Sequence, residues 1–376
     1  MQSINWMIST SLTGLISRVL APFGYAPRMS WWAVLNAIFT AITPVIAVCF
    51  GAGLVMASWV YTLTAMVVSF FQYREMFRLM KNTAIPYCKP DFRLGFRNFT
   101  KSTFLSLREL LESVRRQGVR LLLAPVLGPV GVIAFTTMRT GANIAFQGLN
   151  TVTSPLMPEL MRFVNSRDQE RMEASFGTVW VVLLLMLAPG VVILQAFVEP
   201  FFVVWTKGQV QFDPALFALL SLGILVYAAA QPAMAVMRGN NLLRPQIIIT
   251  MIAASIVIVG VLGLVPRMGV VGAGIALILG ELAATTGYRL VAKKWLQENG
   301  LKWPARSSGL ALASVWTAAA TMAFMIQFPL LKWIIMTAGL IGLIFCGWYY
   351  WISMPALVKQ KVMQIFKKIP LLKRIL

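Results

Sequence analysis

Histidine is absent from the 376 residues, which excludes every mechanism that needs an imidazole base or an imidazole metal ligand. Acidic side chains are nearly as scarce, 12 Asp and Glu against 33 Lys and Arg. Charged residues make up 12% of the chain, where soluble domains carry roughly 25%. With 59% hydrophobic residues and a mean hydropathy of +0.76, the chain is not an ordinary soluble globule. The formal charge of +21 therefore points to a membrane surface, and no nucleic-acid partner is expected. The three cysteines, Cys49, Cys88 and Cys346, are odd in number and scattered; they read as buried or cytosolic thiols, not as a disulfide framework or a zinc site. The first basic residue is Arg18, so no charged start precedes an apolar core and no cleaved signal peptide is expected. No Gly-rich loop ends in Gly-Lys-Ser or Gly-Lys-Thr, which excludes P-loop ATP hydrolysis by this chain. No cofactor and no metal site are expected. An integral-membrane acyltransferase, glycan polymerase or ligase usually needs a histidine or a large outer loop; with neither present, the chain reads as not an enzyme.

What is abundant is long apolar runs. A bilayer core takes about 20 apolar residues per helix, and ten such stretches occur: 31–50, 52–73, 103–124, 129–157, 177–198, 214–237, 246–265, 269–291, 308–328 and 332–352. The pattern predicts an all-α polytopic membrane protein of about ten transmembrane helices. Gly51-Ala52-Gly53 leaves room only for a tight reversal, and a turn is expected at Pro125-Val126-Leu127-Gly128-Pro129. Residues 1–30 read as an interfacial helix or as part of an eleventh span. Pro44, Pro189 and Pro232 lie within spans and predict bends. The tail 353–376 alternates Val358, Val362, Ile365, Phe366 and Ile369 with lysines, the pattern of a basic amphipathic helix on anionic membrane lipids.

Lys and Arg accumulate on the cytoplasmic side of short loops. With ten spans and both termini cytoplasmic, the inner segments hold 25 basic residues and the outer segments three, Lys207, Arg267 and Lys332. Five more, Arg108, Arg115, Arg116, Arg120 and Arg139, fall inside predicted spans. At 100° per residue, Arg108, Glu109, Glu112, Arg115, Arg116 and Arg120 occupy an arc of about 140°. Leu107, Leu110, Leu111, Val114, Leu121 and Leu122 take the opposite one. Four arginines facing lipid would cost roughly 10 kcal/mol or more, so this face must look into protein or water. In the next span Arg139, Asn143, Gln147, Asn150 and Ser154 step by three or four residues into one stripe, which Pro155 and Pro158 are expected to end.

Two readings of these faces stand side by side. In one they form a structural seam, with Arg108–Glu112 and Glu112–Arg116 neutralising one another at i,i+4. In the other, arginines in excess of carboxylates form a cationic cavity for a phosphate or pyrophosphate headgroup, built from Arg115, Arg116, Arg120 and Arg139 with Asn143, Gln147 and Asn150. Glu112 and Glu281 are then coupling or ion-pair residues.

From Gly128 to Leu290 a family resemblance emerges. Arg139 stands early in a helix that leads to Pro155 and Pro158-Glu159-Leu160, and Asp168 to Arg171 form a short loop. Glu199-Pro200 precede an aromatic stretch ending at Trp205, followed by Gly239-Asn240, Arg244-Pro245 and Gly269 to Gly274. In order and spacing these resemble the polysaccharide-exporter, Wzx-like O-antigen flippase branch of the multidrug/oligosaccharidyl-lipid/polysaccharide (MOP) superfamily. The resemblance implies a MATE/MOP-like fold of two six-helix lobes around a cationic cavity. By alternating access it would move a polyprenyl-pyrophosphate-linked oligosaccharide across the bacterial inner membrane for O-antigen, capsule or exopolysaccharide synthesis. Other polysaccharide assembly proteins are then expected partners.

Against that pattern the chain divides into 1–30, a remnant of the first lobe with a basic cytoplasmic loop at 31–101, a complete second lobe at 102–292, two extra spans at 293–352, and the tail at 353–376. About four first-lobe helices are missing, so a non-transporting scaffold, or a fragment of such a transporter, is the alternative. A cation-coupled drug exporter of the same superfamily would want carboxylates in its cavity, and the membrane arginines argue against it.

Overall fold

A computed structural model describes residues 14, 16–17, 19–20, 25–83, 91–165, 168–353 and 359, with side chains left undescribed at 116 and 150–165 among a few other helical positions. All regular structure among the described residues is helical. The elements are α1 (Ala26–Cys49), α2 (Leu54–Asn82), α3 (Phe92–Asn165), α4 (Gln169–Val182), α5 (Ala188–Thr206), α6 (Pro214–Gly239), α7 (Leu243–Glu298), α8 (Ala305–Gln327) and α9 (Lys332–Ser353). Eight helices are long and apolar enough to cross a membrane. α4 runs through a π-helical turn, Leu183–Leu187, into α5, so these two form one span.

Two of the eight are double. α3 breaks at Gly128 (φ 67°) and α7 at Gly269 (φ 59°), backbone values that a side chain disfavours and glycine adopts freely. The break separates α3a, residues 92–127, from α3b, residues 129–165; likewise α7a, residues 243–268, from α7b, residues 270–298. Each of the ten predicted spans falls in one of the resulting segments. The reversal between α1 and α2 is also where the glycines put it, with Gly51 at φ 86° and α2 restarting at Leu54.

The helices outrun the predicted spans in three places. α2 continues to Asn82 and α3 starts at Phe92, so most of the basic segment 74–101 is helix. α5 continues through Pro200 to Thr206, which leaves residues 207–213 between it and α6. α3b does not end at Pro155 but runs to Asn165. The physical reason is common to all three. A helix has no cause to stop at the bilayer boundary, and one proline removes a single ladder bond that neighbours in a membrane bundle readily replace.

All three aspartates of the sequence sit at helix N-termini. Asp91 accepts from Arg93 N and Leu94 N at 2.9 and 3.1 Å, Asp168 from Arg171 N at 3.0 Å, and Asp213 from Ala215 N and Leu216 N at 2.9 and 3.0 Å. Each carboxylate satisfies amides with no intrahelical acceptor and opposes the positive helix end. Asp213→Ala is expected to destabilise the folded protein by about 1 kcal/mol, read as a small fall in the thermal midpoint of detergent-purified protein.

The chain divides into two compact units, Met1–Gly95 and Phe96–Leu376. In the first, α1 and α2 pair as a hairpin around a small core of Ile16, Leu20, Met29, Met76 and Leu79. Glu75 ties its ends, pairing with Arg28 and accepting from Trp32 Nε1 at 2.6 Å. In the second unit α6 is central and buried over most of its length. It contributes to a core shared with α4, α5, α7, α8 and α9 and to another shared with α3, α5 and α7. The two last helices therefore share a core with the elements expected to form the second lobe.

Pro44, Pro189 and Pro232 all lie within helices. After the π turn, Ala188 N bonds Leu183 O, a five-residue step just before Pro189. Neighbouring helices also donate to α6 carbonyls: Trp180 Nε1 to Ala229 O at 3.2 Å and Gln246 Nε2 to Met237 O at 3.0 Å. Cys49 and Cys346 are free thiols. Cys88, the amphipathic tail pattern at 353–376 and most of 1–30 lie outside the described residues.

Candidate functional site

α3a buries its charged face and turns its leucines outward, as the 100° periodicity requires. Arg108 and Arg115 are buried, whereas Leu107, Leu110, Val114 and Leu121 are exposed. At mid-span Arg115 is held by two carboxylates. Its Nε and Nη2 donate to Glu112 at 3.0 and 2.6 Å, a bidentate pair one turn back on the same helix. Its Nη1 donates to Glu281 of α7b at 2.7 Å. Charged donors in this fork geometry make the strongest ordinary hydrogen bonds, and the low dielectric of a membrane interior strengthens them further.

Arg108 meets Glu109 at 3.2 Å, a neighbour other than the Glu112 expected at i,i+4, while Glu112 itself meets Arg115.

The Arg115–Glu281 pair forms one wall of a cavity of about 100 Å³. Arg139, Asn143 and Phe146 of α3b, aliphatic residues and Tyr227 of α6, and Leu277 and Ile278 of α7b complete it. Arg139 lies over the Phe135 ring at 5.7 Å, and Phe146 packs on Tyr227 with ring centroids 5.3 Å apart. The structure thus brings together Arg115, Arg139, Asn143 and Glu281, which lie far apart along the chain, with Glu112 behind Arg115. Arg120 is partly buried, but neither it nor exposed Gln147 lines the cavity. The side chains of Arg116 and Asn150 lie outside the described residues. Two arginines and one carboxylate therefore line the described cavity, with a second carboxylate, Glu112, behind Arg115.

Glu281, expected as a coupling or ion-pair residue, is an ion-pair partner of Arg115. Sequence reasoning missed Phe146, Tyr227 and the aliphatic wall. Within α6 the one signal was Tyr227 itself, a phenol in an otherwise aliphatic stretch.

Among solved structures, a crystal structure of a proline-to-alanine mutant of a MATE protein matches with a TM-score of 0.55 and 16% sequence identity, over 76% of this chain and 66% of that chain. The fold of this protein is accordingly MATE-like, an all-helical, multi-pass membrane fold. The chain spans just under two thirds of the length of the structure it matches. No family model matches the sequence, and no curated protein is significantly similar to it.

Proposed function

We propose that this protein is a membrane transporter that moves an amphipathic anionic substrate, a lipid-linked oligosaccharide with a phosphate or pyrophosphate linkage, toward the outer leaflet. The observation that carries this reading is the cavity at mid-span depth. There Arg139, the Asn143 amide and an aromatic pair surround the Arg115 guanidinium, whose present partners are two carboxylates. A phosphate is a bidentate acceptor like a carboxylate and competes for the same fork. Its arrival would release Glu281 from Arg115 and so loosen α3a from α7b, which gives a substrate-dependent step between two openings. Export of each negative charge from an inside-negative cell gains about 2.3 kcal/mol per 100 mV.

Arg139→Ala is expected to abolish complementation of a strain lacking its own O-antigen or capsule flippase while the protein reaches the membrane at normal levels. Unchanged surface polysaccharide would overturn the reading.

A specific observation favours a second one. Two carboxylates, Glu112 and Glu281, converge at the cavity, the feature that a cation-coupled exporter of organic cations wants, and the fold is MATE-like. On that reading Glu281→Gln raises sensitivity to cationic drugs in an exporter-deficient strain and Arg139→Ala leaves resistance intact, the opposite pattern to glycan export.

A further inference from the structure

Two turns from Arg115, at the end of α3a that the basic-residue distribution assigns to the cytoplasm, lies a second and larger cavity of about 450 Å³. Arg108 and Ser102 of α3a line it, together with Arg238 and Asn241 at the end of α6 and Gln246 in the first turn of α7a. Seven residues separate Arg108 from Arg115, about 10 Å along the helix axis, and the central cavity has neither Arg108 nor Arg238 in its lining. We propose that this inner cavity is a phosphate-binding site, for the headgroup of an anionic lipid of the inner leaflet or for a free phosphate.

Four observations converge. Arg108 is only 6% exposed, and its Nε is buried without a hydrogen-bond partner. Its one ion pair, to Glu109 at 3.2 Å, is with a side chain 60% exposed, so the guanidinium has donors left that face inward. Arg238 makes no ion pair among the described residues, and no Asp or Glu is among the described lining. α7 is the fourth: its N-cap, Leu242, offers no side-chain acceptor, so the positive end of a long helix opens beside the same space. Two guanidinium groups, a helix N-terminus and small polar side chains, without a carboxylate in the lining, match the chemistry of a phosphate. A volume of this size also admits the glycerol or sugar that a headgroup carries.

The site shares with the transport reading only the orientation of the chain, and binding is measured without transport. Full-length protein in detergent is titrated with dioctanoyl phosphatidic acid and, separately, with inorganic phosphate, and the thermal midpoint is followed. Wild type is expected to be stabilised saturably. Arg238→Gln, at a helix end, should raise the half-maximal concentration about tenfold or more, as expected for the loss of a charged hydrogen bond. Arg108→Gln combined with Arg238→Gln should raise it further, and Arg238→Lys should retain most of the response. A response to phosphatidic acid alone assigns the site to a lipid headgroup; a response to both ligands assigns it to the phosphate itself. No saturable response in wild type, or one undiminished in Arg238→Gln, overturns the proposal. A response diminished in Arg238→Gln with export intact, or export lost in Arg139→Ala with the Arg238→Gln effect on binding retained, separates this site from the transport reading.

Discussion

Arg115→Gln is expected to be among the most destabilising single substitutions in this protein, costing about 3–5 kcal/mol. The guanidinium is the shared partner of Glu112 and Glu281 at 2.6 and 2.7 Å. Its removal leaves two partly buried carboxylates close together within the membrane span, with their neutralising cation gone. Coulomb repulsion between them then adds to the desolvation cost that the arginine had offset. The thermal midpoint of purified protein should fall by at least about 5 °C, with a lower yield in the membrane. The cause is tested by removing the orphaned charges: Arg115→Met with Glu112→Gln and Glu281→Gln should recover most of the stability, because a buried ion cluster replaced by neutral groups of similar size is often neutral or stabilising. If the single variant unfolds at the wild-type midpoint, the tie between α3a and α7b contributes nothing. If the triple variant is no better than the single, the loss was one of packing, not of charge.

Gly272→Ala is the second large effect. A Cβ at Gly272 would lie 2.7 Å from the carbonyl carbon and oxygen of Leu264 and 2.9 Å from Val265 N. These are backbone atoms of α7a and cannot swing aside as a side-chain tip can, so the reversal at Gly269 must open. Overpacking of this kind costs roughly 1–3 kcal/mol, and Gly272→Val should cost more. The control is in the same helix: a Cβ at Gly263 meets nothing within 4 Å, so Gly263→Ala should be neutral or stabilising by up to about 1 kcal/mol. Equal thermal midpoints for the two alanine variants would refute the close-approach account. The effect bears on the site as well. Gly272, and Gly280 where a Cβ would meet Val257 Cγ2 at 2.4 Å, let α7b lie close against α7a, and α7b carries Glu281.

Much of this architecture was legible before any coordinates. A lipid interior demands about 20 apolar residues for each crossing and internal satisfaction of every backbone amide, so ten spans could be counted from the chain. Gly51, Gly128 and Gly269 turn where the runs were seen to break, and the buried face of α3a follows from its 100° periodicity. The limits of the helices were less legible: α2, α3b and α5 all continue past the apolar segments, because backbone hydrogen bonding does not end where hydrophobicity does. At the site, periodicity put Arg115 and Arg139 on the right faces but allowed Glu112 an arginine three or four residues away on either side. The partner it could not supply is Glu281, 166 positions along the chain from Arg115.

The sequence by itself thus determined the solvent this protein lives in, the apolar runs that become its long helices and which side of α3a must avoid lipid. Those properties depend on local composition and on a fixed helical period. Only the tertiary structure decided that Arg115 is chelated between Glu112 of its own helix and Glu281 of another. Pairing energy in a low dielectric depends on distances of a few ångströms between helices, and no spacing along the chain encodes those.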